Sequence, residues 1–189
     1  MRVITGSARG RRLITVEGAD VVRPTTDRVK EAIFSAIQFD IEGRTVLDLF
    51  AGSGQLGIEA LSRGAAECYF ADSAAQSINV VRQNVEHTGF SDRSHIVNMP
   101  FSAFLKSAKV KFDIALFDPP YERKLIQKAL PFLIPKMNDG GVILCEHEKE
   151  CTLPAELDGW SLVKLLRHGG TSVSIYKKPT DTDKESDSE

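Results

Sequence analysis

Two short segments of this 189-residue chain hold residue types at a spacing that can do chemistry. The first is Asp48-Leu49-Phe50-Ala51-Gly52-Ser53-Gly54-Gln55-Leu56-Gly57, a G-x-G-x-x-G run with an acid ahead of it and a second acid, Asp72, behind it. Glycines let the backbone pass close to a ligand, a helix opening there offers unpaired N–H groups, and an acid about 20 residues further on meets ribose hydroxyls. A nucleoside-containing cofactor fits, and two kinds compete. A nicotinamide dinucleotide brings a pyrophosphate anion, whereas S-adenosylmethionine brings a sulfonium, an ammonium group and no phosphate. Asp48 repels the first and can help hold the second, directly or through water, so the acid favours S-adenosylmethionine. The plainer alternative is that Asp48 only orders the hydrogen bonds of the turn.

The second segment is Asp118-Pro119-Pro120-Tyr121, directly after the apolar run Phe112 to Phe117. Two consecutive prolines fix φ twice and keep the residue ahead of them out of the helical region, so the Asp118 carboxylate and the Pro119 carbonyl are held in one arrangement. Tyr121 sets a flat face beside these two acceptors. Such parts suit methylation of an exocyclic amine of a nucleobase, whose lone pair is delocalised into the ring. Hydrogen bonds from its two N–H groups to Asp118 and to the Pro119 carbonyl would turn that lone pair toward the methyl. Positioning of this kind lowers barriers by up to roughly 7–11 kcal/mol, and stacking on an aromatic ring contributes about 1–3 kcal/mol per base. A paired base must leave its stack to reach such a site. The alternative is a rigid turn closing a buried strand.

Both segments need strand ends that open on one crevice, and the rest of the chain supplies them. Apolar runs at 45–50, 68–72, 95–98, 112–118 and 141–147 alternate with helix patterns at 55–63, 74–88, 102–107 and 122–137, which reads as a parallel sheet covered by helices. Runs 160–168 and 171–178, parted by Gly169-Gly170, predict an antiparallel C-terminal edge hairpin. Ahead of the sheet, 2–5 and 11–16 suit a small hairpin. Val29, Ile33, Ala36 and Ile37 predict an amphipathic helix over Thr26 to Phe39, capped by Thr25 or Thr26. The expected fold class is α/β: a seven-stranded, mostly parallel sheet with that edge hairpin and an N-terminal hairpin and helix extension. The expected organisation is a basic extension at 1–40, a cofactor-binding domain at 41–178 and a disordered acidic tail at 179–189.

Charge divides the chain in the same way. Residues 1–30 carry seven Lys or Arg against three acids, and 180–189 carry five acids against one Lys with no apolar side chain. The first reads as an anion-facing surface and the second cannot bury anything. Hydrophobic residues make up 42%, and no run approaches the roughly 18 apolar residues of a membrane span. The N-terminus has no apolar leader, so a cytoplasmic location is expected. Cys68, Cys145 and Cys151 read as small buried hydrophobes, and the four scattered histidines show no ligand spacing, so no metal is expected.

Asp48 to Gly57, Asp72 and Asp118-Pro119-Pro120-Tyr121 resemble motifs I, II and IV of the class I S-adenosylmethionine-dependent amino methyltransferases. Arg2-Val3-Ile4-x-Gly6, Gly10-Arg11-Arg12-Leu13 and the run from Arg23-Pro24-Thr25-Thr26-Asp27-Arg28 to Phe34 are similar to the RsmD family, bacterial 16S ribosomal RNA guanine-N2 methyltransferases of the guanine(966) type. The resemblance covers about residues 1–178 and implies a Rossmann-like seven-stranded fold. It implies that Asp48, Gly52 and Gly54 hold the amino-acid part of the cofactor and Asp72 the ribose, with Phe50 also at the cofactor. It assigns the target amine and base to Asp118, Pro119, Pro120 and Tyr121, and ribosomal RNA, within a 30S particle or assembly intermediate, to Arg2, Arg9, Arg11, Arg12, Arg23 and Arg28. Relatives commonly carry an acid near the adenine after the third strand; Asn98-Met99-Pro100-Phe101 has none, which leaves adenine to Phe101 and backbone amides. The rival readings are a DNA adenine-N6 or cytosine-N4 methyltransferase, a nicotinamide-dependent oxidoreductase, and a non-catalytic RNA-binding factor.

Overall fold

A computed structural model describes residues 1–16, 26–120 and 124–178. The strands are β1 (Thr45–Leu49), β2 (Glu67–Asp72), β3 (Ser94–Asn98), β4 (Phe112–Phe117), β5 (Met137–Glu148), β6 (Glu156–Leu157), β7 (Trp160–His168) and β8 (Thr171–Lys177). Helices α1 (Asp27–Ala36), α2 (Gln55–Ser62), α3 (Ala75–Thr88), α4 (Phe101–Ser107) and α5 (Leu125–Leu133) complete the described elements. One sheet runs β3-β2-β1-β4-β5-β8-β7-β6, parallel from β3 to β5 and antiparallel beyond. The chain leaves β1 toward β2 and β3, then crosses to β4 on the other side. That reversal opens a crevice outside the carboxyl ends of β1 and β4.

Helices on both faces explain the unbroken apolar runs. Val46, Phe70, Ile114 and Val142 pack with Ile33, Ile58 and Val81, while Leu47, Phe112, Phe117 and Ile143 pack with Leu105, Leu130 and Leu133 on the opposite face. All seven expected strands are present. The eighth, β6, is a two-residue edge strand too short to show a pattern. β5 starts four residues earlier than expected, because Met137 pairs with Phe112 ahead of a register shift and draws Asn138 to Gly140 into the strand. The last expected helix is correspondingly shorter: Pro135, which cannot continue an α-helix, sits in the 3-10 turn Ile134–Lys136. Helix α1 ends at Ala36 rather than Phe39, and Thr26 Oγ1 caps it by accepting from the Val29 amide at 3.3 Å.

The expected N-terminal hairpin is present but short: about the Arg2 to Arg12 bridge, Val3 N–H donates to the Arg11 carbonyl at 3.0 Å, Leu13 N–H to the Met1 carbonyl at 3.2 Å and Gly10 N–H to the Val3 carbonyl at 2.9 Å, and the turn between the arms lies on α2. Ser7 N–H donates to the Ser62 carbonyl at 2.8 Å, and Ala8 N–H to Ser62 Oγ at 3.0 Å. A Cβ on Gly6, whose φ is +87°, would lie 1.8 Å from that carbonyl, so only glycine permits the approach. The Glu59 carboxylate, fully buried, accepts from the amides of Ile4 and Thr5 at 2.8 and 3.0 Å and from Arg63 Nε at 2.8 Å, and it faces Lys30 Nζ at 3.7 Å. Burial lowers the Lys30 pKa, with Glu59 opposing the shift. Asn84, also fully buried, donates to the carbonyls of Ile14 and Ser53, both at 2.9 Å, and accepts from Ile14 N–H at 2.8 Å. The head of the chain is thereby tied to the glycine turn.

Thr25, Arg23, Tyr121 and the acidic segment 179–189 lie outside the described residues. Cys68 and Cys145 are buried as expected, and burial pushes both thiols up; Cys151 is only half-buried. Among the described residues, no helix is long and apolar enough to cross a membrane.

Candidate active site

The carboxyl ends of β1, β2 and β4 surround a cavity of about 530 Å³. Asp48, Phe50, Gly52, Asp72, Phe101, Asp118 and Pro120 all line it, so the glycine turn and the D-P-P turn open on the same space. Gly54 caps α2 just behind the wall with φ +76°. A Cβ on Gly57 would come within 2.4 Å of the Phe70 ring, which explains the third glycine of the run: it lets α2 settle on β2. The Gly57 amide donates to Asp48 Oδ2 at 2.9 Å. Asp48 therefore does order the turn, the plainer of the two roles, and it also borders the cavity.

Asp72 spans the other side of the turn. Its Oδ2 accepts from the Gly52 amide at 2.9 Å and its Oδ1 from the Ala74 amide at 2.8 Å, and each oxygen retains a lone pair for a further donor. Phe50, held at φ +70°, sets its ring 5.6 Å from that of Phe101, and with Met99 and Pro100 these rings form an apolar wall. Asp118 is half-buried and Pro119 buried.

No lysine, arginine or histidine is among the described residues lining this cavity, whereas three aspartates are. Burial pushes the Asp48 carboxyl up to about 8, helped by the charges of Asp118 and Asp72 and opposed by the Gly57 hydrogen bond. Such a site calls for a cation and disfavours a pyrophosphate. Because the folded protein holds this proton more tightly than the unfolded chain, Asp48 favours the native state at low pH. That contribution is lost as pH rises from about 4 to about 8. Thermal melts of the ligand-free protein between pH 5 and 8.5 are expected to show a steeper fall in Tm than Asp48→Asn, and parallel profiles would contradict this.

Sequence reasoning missed Gln55. It is only 6% exposed, lines the cavity, and its Oε1 has no hydrogen-bond partner among the described residues. A buried acceptor left open costs about 1–3 kcal/mol, so it marks a place where a donor binds. Met1, Thr15 and Val16 were missed as well: the tied-down head forms part of the cavity wall. Arg2, Arg9, Arg11 and Arg12 are exposed on that head, with Arg2 paired to Asp27 at 3.0 Å and Arg11 donating to the His87 carbonyl. Arg28 is exposed on α1 and does not line this cavity.

A glycine turn and a D-P-P turn facing each other across the switch point of a mostly parallel sheet define a Rossmann-like methyltransferase. A family model described as "Conserved hypothetical protein 95" matches residues 1–177. The Bacillus subtilis protein YlbH is 39% identical, covering 94% of this chain and 99% of that protein. Ribosomal RNA small subunit methyltransferase D of Haemophilus influenzae is 33% identical over 94% of this chain and 93% of its own length. The solved structure of yhhF from Escherichia coli, 33% identical, superposes with a TM-score of 0.84 over 94% of this chain and 97% of that one. The chain belongs to the RsmD family of S-adenosylmethionine-dependent methyltransferases.

Proposed function

We propose that this protein transfers a methyl group from S-adenosylmethionine to the exocyclic N2 amine of a guanine in 16S ribosomal RNA, presented in a 30S particle or an assembly intermediate. The observation that carries the reading is the single cavity bordered by Asp48, Asp72 and Asp118. Its residues fit the cofactor. Asp48 and the open Gln55 Oε1 suit the ammonium group, Asp72 the ribose hydroxyls, and Phe50 and Phe101 the adenine, with Gly52 and Gly54 keeping the turn low. When bound, the cofactor supplies an electrophilic methyl on a sulfonium.

Asp118 and the Pro119 carbonyl accept the two N–H bonds of the target amine and turn its lone pair toward that methyl, and Tyr121 stacks on the base. A methyl accepted from the bound sulfonium would leave the amine with a proton to lose, for which Asp118 is the nearby acceptor. The basic head, with Arg2, Arg9, Arg11, Arg12, Arg23 and Arg28, holds RNA phosphates, which assigns residues 1–40 to RNA binding and 41–178 to chemistry.

Incubation with labelled S-adenosylmethionine and 30S particles from cells lacking the modification, followed by nucleoside mass spectrometry, tests this. N2-methylguanosine is the expected product; methylated adenine or cytosine, or label in DNA alone, would refute it. Replacing Gln55 by Met keeps its length but removes the orphaned acceptor. Calorimetry is expected to show S-adenosylhomocysteine binding about 5-fold to 20-fold more weakly, while the ligand-free protein melts no lower than wild type, as follows from relieving a buried unmet group. Unchanged affinity would remove Gln55 from the site.

A further inference from the structure

Asn84 joins two parts of the molecule that methyl transfer to RNA needs together. It stands on the buried face of α3, fully enclosed. Both Nδ2 hydrogens are given away, one to the Ser53 carbonyl and one to the Ile14 carbonyl, each at 2.9 Å, and Oδ1 accepts from Ile14 N–H at 2.8 Å. Turning the amide over would set its oxygen against two carbonyls, so its orientation is fixed.

Ser53 lies between Gly52 and Gly54, which both hold a positive φ, +55° and +76°. Glycines carry no side chain to brace the backbone there, so the turn takes its support from outside. Asp72 holds the Gly52 amide, and Asn84 holds the Ser53 carbonyl. On the other side of Asn84, Ile14 is 48% exposed and Thr15 is exposed as well. Beyond the buried Leu13, therefore, the head is pinned by its backbone bonds to Asn84 and not by burial of these side chains. Leu13 N–H donates to the Met1 carbonyl at 3.2 Å, and Ser53 Oγ donates to Met1 Sδ at 3.3 Å, which closes the loop back to the glycine turn. The head that exposes Arg2, Arg9, Arg11 and Arg12 thus runs directly into Met1, Thr15 and Val16 on the cavity wall.

We propose that Asn84 is a positioning residue through which cofactor and RNA bind cooperatively. A cofactor seated on the glycine turn orders the head, and RNA phosphates held by the head order the turn. Whichever binds first bears the cost of ordering, and the second does not. Linkage makes the effect reciprocal, each ligand tightening the other by the same factor. The proposal rests on the reading of the basic head as the RNA-binding part and adds the residue that ties it to the cofactor.

Two measurements on the full chain test it. Hydrogen exchange at the amides of Gly10, Leu13 and Ile14, each of them hydrogen-bonded, follows the head. Filter binding of 30S particles with and without saturating S-adenosylhomocysteine follows the linkage. In wild type, S-adenosylhomocysteine is expected to slow exchange of these amides at least about 5-fold and to tighten 30S binding about 5-fold to 20-fold, within the usual range of coupling between two sites. Asn84→Leu, similar in volume but unable to hydrogen-bond, is expected to bring both ratios below about twofold. Thr88→Val supplies the comparison. It removes a buried hydroxyl one turn along α3 that donates to the Asn84 and Val85 carbonyls, bonds that stay within the helix. Its ratios are expected to match wild type even where its melting point falls as far. Asn84→Ala, which leaves room for water, takes the place of Asn84→Leu should that variant not fold. Ratios near one in wild type, unchanged in the Asn84 variant, or lost equally in Thr88→Val would overturn the inference. Particles that fail to bind wild type, while S-adenosylhomocysteine still protects the head, would instead remove the RNA reading and leave Asn84 as the tie between head and cofactor site.

Discussion

Asp118→Ala is expected to lower methyl transfer by at least about 10²-fold to 10³-fold, the scale seen when one preorganised hydrogen-bonding group is removed from a reaction centre. S-Adenosylhomocysteine binding is expected to survive. The cofactor contacts proposed here come from β1, the glycine turn, the start of α2, β2 and the start of α4, and none of them is Asp118. Its removal relieves the repulsion that helps raise the Asp48 carboxyl, so binding should hold or tighten slightly. Single-turnover transfer to 30S particles, set beside calorimetry with S-adenosylhomocysteine, separates the two effects. Equal loss of binding and turnover would make Asp118 a structural residue of the pocket.

Glu59→Ala is expected to destabilise the fold by about 3–5 kcal/mol, the range for removing one partner of a buried ion pair. The loss is compounded because the amides of Ile4 and Thr5 would give up their acceptor and Lys30 would stay buried without its counter-charge. Chemical denaturation reads the stability directly. The defect should spread to the cofactor site, since Met1, Thr15 and Val16 belong to the same docked head. Adding Lys30→Met to a Glu59→Gln variant is expected to recover part of the loss, because an apolar pair no longer buries a lone charge. A change in stability below about 1 kcal/mol for Glu59→Ala would show that the head is held mainly by its apolar contacts.

What could be read from the chain alone was whatever sits close together along it. The glycine run, the acid at the next strand end and the paired prolines are short patterns, and apolar runs between amphipathic stretches announce a covered parallel sheet. The features missed depend on residues far apart in sequence. Asn84 is an unremarkable helix residue until the fold brings Ile14 and Ser53 to it. Glu59 looks like a surface acid on α2 until the head lies across it. Gln55 is visible in the glycine motif, but its open acceptor exists only once α2 is packed. The Asn138-Asp139-Gly140-Gly141 segment reads as a turn by local preference, and pairing of Met137 with Phe112 overrides that preference.

The central claim is that the one cavity shared by the glycine turn and the D-P-P turn brings a sulfonium methyl and a nucleobase amine together. A crystal structure of the protein with S-adenosylhomocysteine tests it most directly. The account expects the ribose at Asp72, the amino group near Asp48 and Gln55, and the sulfur turned toward Asp118 and Pro119. A ligand bound away from the glycine turn, or one whose sulfur faces away from Asp118, would contradict it.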